Sequence, residues 1–416
     1  MHATTTSHQP SGQLKADHAA SREQLGEARP TDDRLGATVR TALGRPSAVV
    51  TDWWVERVPY VPGTPSTGGL FWVRGTARDP AGDGLGWSFF VKVLQSPTRW
   101  EHLDQIPADL RQFFLDSFPW RLEVDALASD IGRRLPDGVR LPAVYDVHEV
   151  AADLVAIWME DVEQCDVPWD LDRFGRAAYA LGRLAARRRA DRTEPFRPDD
   201  PWSRTRGYAL RYYALGRVEH SAVAPLRVDA LWDQPILANA VAACGGAHLR
   251  EDFRAAAARL HELLDHLDTL PQTYVHGDAS PQNLLVPAGD PDTFVAIDWG
   301  FDTPHAIGFD LGQLLVGLVH AGEITVAELP MIHAVILPAY VEGVRVEGME
   351  VSESDVYDGY VGSLVVRAAF TALPLELLEA PPTTGGRSRR DRQLWLERVR
   401  LTRYLLDLAR TVPATG

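Results

Sequence analysis

Three oxygen-bearing side chains stand within one short stretch of the chain. Tyr274-Val275-His276-Gly277-Asp278-Ala279-Ser280-Pro281-Gln282-Asn283 leads into an apolar run, Leu284 to Val286. A loop of Pro, Gly and Asp residues follows, then a second apolar run, Phe294 to Ile297, and Asp298-Trp299-Gly300. Two short β-type runs around such a loop form a hairpin pattern. A hairpin brings its outer ends together, so Asp278 and Asn283 before the first run should meet Asp298 after the second. A few hard oxygens, with room left for phosphates and water, are what magnesium prefers. Solvated acids on a surface hairpin are the plainer alternative.

The spacing narrows the choice. An Asp, four residues, an Asn, and later an Asp-aromatic-Gly is the pattern of kinase-type phosphoryl transfer. Asp278 and Asn283 have the first spacing, and Asp298-Trp299-Gly300 supplies the second element with Trp in the Phe position. Protein kinases carry Arg in the middle of the His-x-Asp triplet. The Gly of His276-Gly277-Asp278 instead resembles the aminoglycoside phosphotransferase and choline kinase-like family of the protein-kinase-like fold, whose members phosphorylate small molecules. The resemblance spans roughly residues 48–320. It implies ATP and Mg as cofactors, Asp278 as the catalytic group that accepts or orients the substrate hydroxyl proton, and Asn283 and Asp298 as metal ligands. It also implies that Asp310, at a helix start, braces the catalytic loop. His276 then orients the loop, and Gly277 permits its backbone shape.

The elements that would position these groups precede them. Three β-type runs, Ala48 to Tyr60, Gly69 to Arg78 and Gly86 to Leu94, read as an antiparallel meander, with a strong turn at Asp79 to Gly84. Lys92 lies inside the third run, where strand alternation puts Phe90, Lys92 and Leu94 on one face. A lysine among apolar residues is costly to bury unless paired. It is either an edge-strand lysine pointing to water or, as the resemblance implies, the lysine that binds the α and β phosphates. Its partner would come from the helix that follows, at Glu123, with Asp125 as the alternative. The turn Pro62 to Gly69 is a weak match to a glycine-rich phosphate cover, because Pro65 removes a backbone donor. Two further runs, Ala143 to Val150 and Leu154 to Met159, end at Glu160-Asp161-Val162. The resemblance places the interlobe link here, with the backbone of Glu160 and Val162 holding the adenine edge. Ordinary loop acids are the other reading of Glu160 and Asp161.

Beyond Trp169 the composition turns to Ala, Leu and Arg with helical periodicity. Helices are expected over 171–189, 204–215, 251–267, 310–320, 353–373 and 389–408. Breaks are expected at Pro235 and Pro338, and Ser352 reads as an N-cap with Asp355 three residues on. Arg187-Arg188-Arg189 reads as a solvated helix end, and 381–388 as a mobile loop. A β-rich part followed by a helical part is an α+β arrangement. The chain thus divides into a disordered leader at 1–33, an N-lobe at 34–160 and a larger helical C-lobe at 161–416.

Composition bounds the partners. The 416 residues carry a formal charge of -15, which argues against nucleic acid and suits a cationic, hydroxyl-bearing small molecule. Two cysteines far apart fit a reducing compartment. No uninterrupted apolar run reaches the length of a membrane span, and the first residues lack the apolar core of a secretory signal. A cytoplasmic protein with no membrane partner is the expectation. Two other classes compete with a kinase. One is a nucleotide-binding regulator that no longer transfers phosphate. The other is a metal-dependent hydrolase, which leaves Lys92 without a role.

Overall fold

The computed structural model describes residues 17–60, 63–80, 82, 84–190, 208–379 and 389–413. The chain forms two compact units, one of residues 1–128 with 141–164 and the other of 129–140 with 165–416. The first is β-rich and the second mostly helical.

In the first unit, β1 (Val49–Arg57), β2 (Thr67–Arg78) and β3 (Gly84–Gln95) form the meander expected from the sequence. A two-residue strand of the second unit, β4 (Val139–Arg140), intervenes before β5 (Val144–Ala151) and β6 (Leu154–Glu160). The five strands of the first unit make one antiparallel sheet in the order β1-β2-β3-β6-β5.

Side chains alternate across a strand, so this sheet has two faces to cover. On one face Trp87, Phe89, Val91 and Val93 of β3 pack with Trp53, Phe71, Val73 and Trp158. The other face, bearing Leu94, Val155, Ile157 and Met159, packs on Val124 of the helix Leu122–Ala128. Residues 17–33, expected to belong to a disordered leader, are ordered. A 3-10 turn, Arg22–Ala28, and the helix Asp32–Leu43 bury Leu25, Ala28, Leu35 and Val39 on the first face. Arg22 donates to Trp53 O at 2.9 Å and pairs with Asp52 at 2.9 Å. Without this cover a patch rich in Trp and Phe would face water. The remainder of the proposed leader, 1–16, lies outside the described residues.

The second unit holds the helices. Leu171–Arg187 lies along Leu329–Val346, and their backbones touch at two glycines. A Cβ on Gly182 would strike Tyr340 O, and one on Gly343 would strike Tyr179 O. Pro338 lies inside the second of these helices, which runs on to Val346 rather than breaking. Packing against the first helix compensates the lost hydrogen bond at that proline. Residues 326–346 are long and apolar enough by mean hydropathy to cross a membrane, although no uninterrupted apolar run has that length. Ile332, Ile336, Tyr340, Val341 and Val344 of this segment are buried in the protein. Pro235 begins the helix Pro235–Ala243, and Ser352 accepts from Asp355 N at 2.9 Å as an N-cap. The stretch expected as one helix over 251–267 divides at Arg259 into Leu249–Ala258 and Leu260–Thr269. The loop expected at 381–388 and the start of the helix expected at 204–215 lie outside the described residues.

The short strands of the second unit position the loop of interest. β7 (Gln272–Tyr274) enters it, β8 (Leu284–Leu285) leaves it, and β9 (Phe294–Ala296) returns antiparallel to β8. β4 pairs parallel to β9, and β10 (Pro304–Ala306) pairs antiparallel to β7.

Candidate active site

Lys92 and Glu123 belong to the first unit. Lys92 follows Phe90 on the face of β3 that packs on the helix Leu122–Ala128. Its Nζ lies 2.6 Å from Glu123 Oε2, and the two side chains are only 9% and 5% exposed. Asp125, the alternative partner, is on the exposed side of that helix. Two buried charges add little net stability, because desolvation offsets their attraction. A buried pair between strand and helix at that cost therefore points to function.

The link after β6 is more ordered than loop acids would be. Glu160 N–H donates to Ala143 O at 2.8 Å, and the Glu160 carboxylate accepts from Ala143 N at 3.0 Å. The Glu160 side chain thus ties down a strand end. Asp161 accepts from Ser88 Oγ at 2.5 Å and lies 3.5 Å from Arg74. Val162 follows, half-buried, outside any strand.

In the second unit the hairpin does converge its ends. Ile297 N–H donates to Asn283 O at 3.0 Å, so Asp298 stands next to the end of the turn Pro281–Asn283. Asn283 Nδ2 donates to both the backbone oxygen and Oδ2 of Asp278, each at 2.9 Å. Those two bonds define which end of the amide is nitrogen and turn its oxygen away from Asp278. Asp298 has φ 62°, the only left-handed non-glycine among the described residues. Such a conformation costs about 1–3 kcal/mol and is typical of ligand clamps. Trp299, in the Phe position of the motif, is fully buried, donates to Ala296 O at 2.9 Å and packs 4.5 Å from the His276 ring.

The loop itself is braced at His276, Gly277 and Asp278. Asp310, at the start of the helix Asp310–Ala321, is 1% exposed and accepts from His276 N at 3.0 Å and Gly277 N at 2.8 Å. Burial pushes its carboxyl above the ordinary carboxylate value, against the pull of His276, those two N–H groups and Arg367. The buried His276 bonds Ile297 O through Nε2 at 2.9 Å and accepts from Asp278 N through Nδ1 at 3.2 Å. It carries its proton on Nε2 and acts as a brace. Gly277 has φ 84°, and a Cβ there would come within 2.5 Å of Phe301 O. Both the torsion and the space demand glycine.

Two arginines depart from the sequence reading. Arg188, expected at a solvated helix end, is nearly buried. It pairs with Asp302 at 2.8 Å and lies over the Tyr274 ring at 5.4 Å. Arg367, outside every motif of the sequence, places its Nη2 3.0 Å from Asp278 Oδ1, and its Nη1 donates to Gly277 O. The signal was present. A single Arg among Val365, Val366, Ala368 and Ala369 is as costly to bury as Lys92 in its strand.

The donor set suits magnesium. Among the described residues no three His, Cys, Asp or Glu side chains form a closed cage. The hairpin instead offers one amide oxygen and one carboxylate, both hard donors. Magnesium is commonly held by one or two carboxylates plus waters and substrate phosphates.

A β-rich unit with a buried Lys–Glu pair, joined to a helical unit with an Asp–Asn–Asp hairpin, is the protein-kinase-like fold. A model of the phosphotransferase enzyme family matches residues 109–332, more than half of the chain. The chain belongs to that family and is a phosphotransferase. None of the curated proteins matches it. Similar solved structures include an amicoumacin kinase with AMP-PNP and Ca2+, 14% identical, covering 86% of this chain and 90% of that one with a TM-score of 0.46. An ethanolamine kinase of Plasmodium vivax is 11% identical, covering 86% and 84% with a TM-score of 0.44. An aminoglycoside phosphotransferase of Alicyclobacillus acidocaldarius is 14% identical, covering 86% and 91% with a TM-score of 0.40.

Proposed function

We propose that this protein transfers the γ-phosphate of ATP to a hydroxyl of a small molecule. The observation that carries the reading is the Asp278 carboxylate, oriented by Asn283 on a loop braced by Asp310 and His276. Asp278 orients the acceptor hydroxyl and takes its proton as the oxygen bonds to the γ-phosphorus. The bond from that phosphorus to the β–γ bridging oxygen breaks, and ADP leaves. Lys92, fixed by Glu123, neutralises the α and β phosphates, and the backbone of Glu160 and Val162 receives the adenine edge. Asn283 and Asp298 would hold magnesium, which would offset the charge of the phosphates. Such catalysis is mostly positioning and charge stabilisation, which is what a braced loop supplies.

The acceptor is an aminocyclitol-like, amino-alcohol or sugar-like compound, and the net charge of -15 favours a cationic one. Two free cysteines and the need for ATP suit a cytoplasmic setting. The test is a mass-spectrometric screen of wild type and Asp278→Asn with Mg-ATP and a panel of aminoglycosides, amino alcohols, sugars and metabolites. A phosphorylated product with wild type alone supports the reading. Equal product from both proteins removes Asp278 from its role.

A further inference from the structure

We infer that Arg367 is a positioning residue for phosphate transfer, acting through Asp278; the inference rests on the function proposed above. Arg367 is far from the hairpin in sequence, yet its guanidinium grips the loop with two prongs. Nη1 donates to Gly277 O, and Nη2 donates to Asp278 Oδ1 at 3.0 Å. Asn283 already holds Asp278 Oδ2 at 2.9 Å. Each oxygen of the carboxylate therefore carries one fixed bond, and rotation about its last torsion is blocked. A carboxylate has about four lone-pair sites, so one on each oxygen is left for an acceptor hydroxyl.

The protein builds a place for this cation. The guanidinium carbon lies 4.9 Å from the Phe301 ring centre and 5.6 Å from that of Phe309. Phe301 directly follows Asp298-Trp299-Gly300, so the same arginine touches both strands' worth of motif. The helix Glu353–Leu364 widens to π geometry over Val365–Ala369, the turn that carries Arg367. Turns of this kind are frequent at functional sites. The Arg367 carbonyl is met by Tyr213 Oη at 3.3 Å and Thr371 Oγ1 at 3.0 Å. The four flanking residues are at most 2% exposed, and the Arg367 side chain is 14% exposed. An arginine in the most buried part of a helix is costly unless its charge is used. Here its partner is the one carboxylate on which the reaction depends.

The experiment compares wild type, D278N, R367A and R367M by ADP release, with water or with the acceptor found in the screen. R367M keeps the stem against the two Phe rings and carries the test where R367A does not fold. A loosened carboxylate displaced by about 1 Å should lower kcat about 100-fold. KM for the nucleotide should stay within about threefold, since only the step that uses Asp278 is affected. Added guanidinium ion should restore R367A by about tenfold and D278N not at all, because only the former leaves a guanidinium-shaped gap beside an intact carboxylate. Two results overturn the inference and leave the kinase reading standing. One is an arginine variant with wild-type kcat while D278N is dead. The other is R367A slowed in proportion to its loss of folded protein, with no guanidinium response. Turnover of D278N equal to wild type overturns both readings together.

Discussion

Replacing Asp310 tests the architecture of the loop more directly than replacing Asp278. Its two oxygens accept the backbone N–H groups of His276 and Gly277 at 3.0 and 2.8 Å, in a site 1% exposed. Asp310→Ala leaves both donors buried with no partner. An orphaned buried donor costs about 1–3 kcal/mol, so the variant should lose about 2–6 kcal/mol. Natural domains hold only about 5–15 kcal/mol in all, so that loss is a large share. Removing the charge itself returns a little, since burial already disfavours the ionised form of this carboxyl. Asp310→Asn keeps one acceptor and should lose about half as much. The assay is urea unfolding followed by tryptophan fluorescence, Trp299 packing with its ring centre 4.5 Å from that of His276. The midpoint should fall at unchanged slope. Activity at a temperature where the variant is still folded should fall further than the unfolded fraction explains, because Asp278 follows the released peptide. Asp310→Ala within about 0.5 kcal/mol of wild type, with full turnover, would refute the brace.

Three further outcomes are expected. Lys92→Met takes from the buried Glu123 the cation 2.6 Å away and should cost about 3–5 kcal/mol, whereas Lys92→Met with Glu123→Leu should recover most of it; an additive pair of losses in denaturant titrations would sink the coupling. Leu25→Ala should cost about 2–5 kcal/mol in thermal or denaturant unfolding, and a neutral result would return residues 17–33 to the status of a leader. Glu347 is held below its ordinary value of 4.5 by hydrogen bonds from Arg187 and Arg183, so its stabilising contribution is present above that value and lost as pH falls through the depressed folded one. Melting curves of Glu347→Gln should therefore converge on wild type at low pH and diverge above about pH 5; parallel curves would contradict the linkage.

The sequence made the hairpin of Asp278, Asn283 and Asp298 legible because its parts are contiguous. Asp278, Asn283 and Asp298 need only one turn and one pair of strands to meet, and spacing alone encodes that. Lys92 and Glu123 were legible for a related reason, since period-two and helical patterns each assign a face. The order of a β-rich part and a helical part was equally open to reading. What stayed hidden depends on geometry: the apolar run around Arg367 marks it as costly to bury and does not name its target. Arg367 reaches Asp278 from a turn of π rather than α geometry, a small change that re-aims every side chain beyond it. Residues 22–28 look like polar filler until the sheet exists and one of its faces needs a cover. Arg188 reads as one of three surface arginines, and only the fold supplies Asp302. Pro338 carries the mark of a break, and packing against a neighbour overrides it.

The crossing of Leu171–Arg187 with Leu329–Val346 limits how this protein can be varied. At Gly182 and Gly343 the obstruction to a larger residue is main-chain carbonyl, not side chain. Every coding change at glycine adds atoms, and no second-site trimming can make room, because a peptide group cannot be made smaller. A steric conflict between side chains can be repaired elsewhere in an evolving lineage; this one cannot. In a randomised library selected for new acceptors, these two positions should return glycine under every selection, while the surrounding helix faces drift.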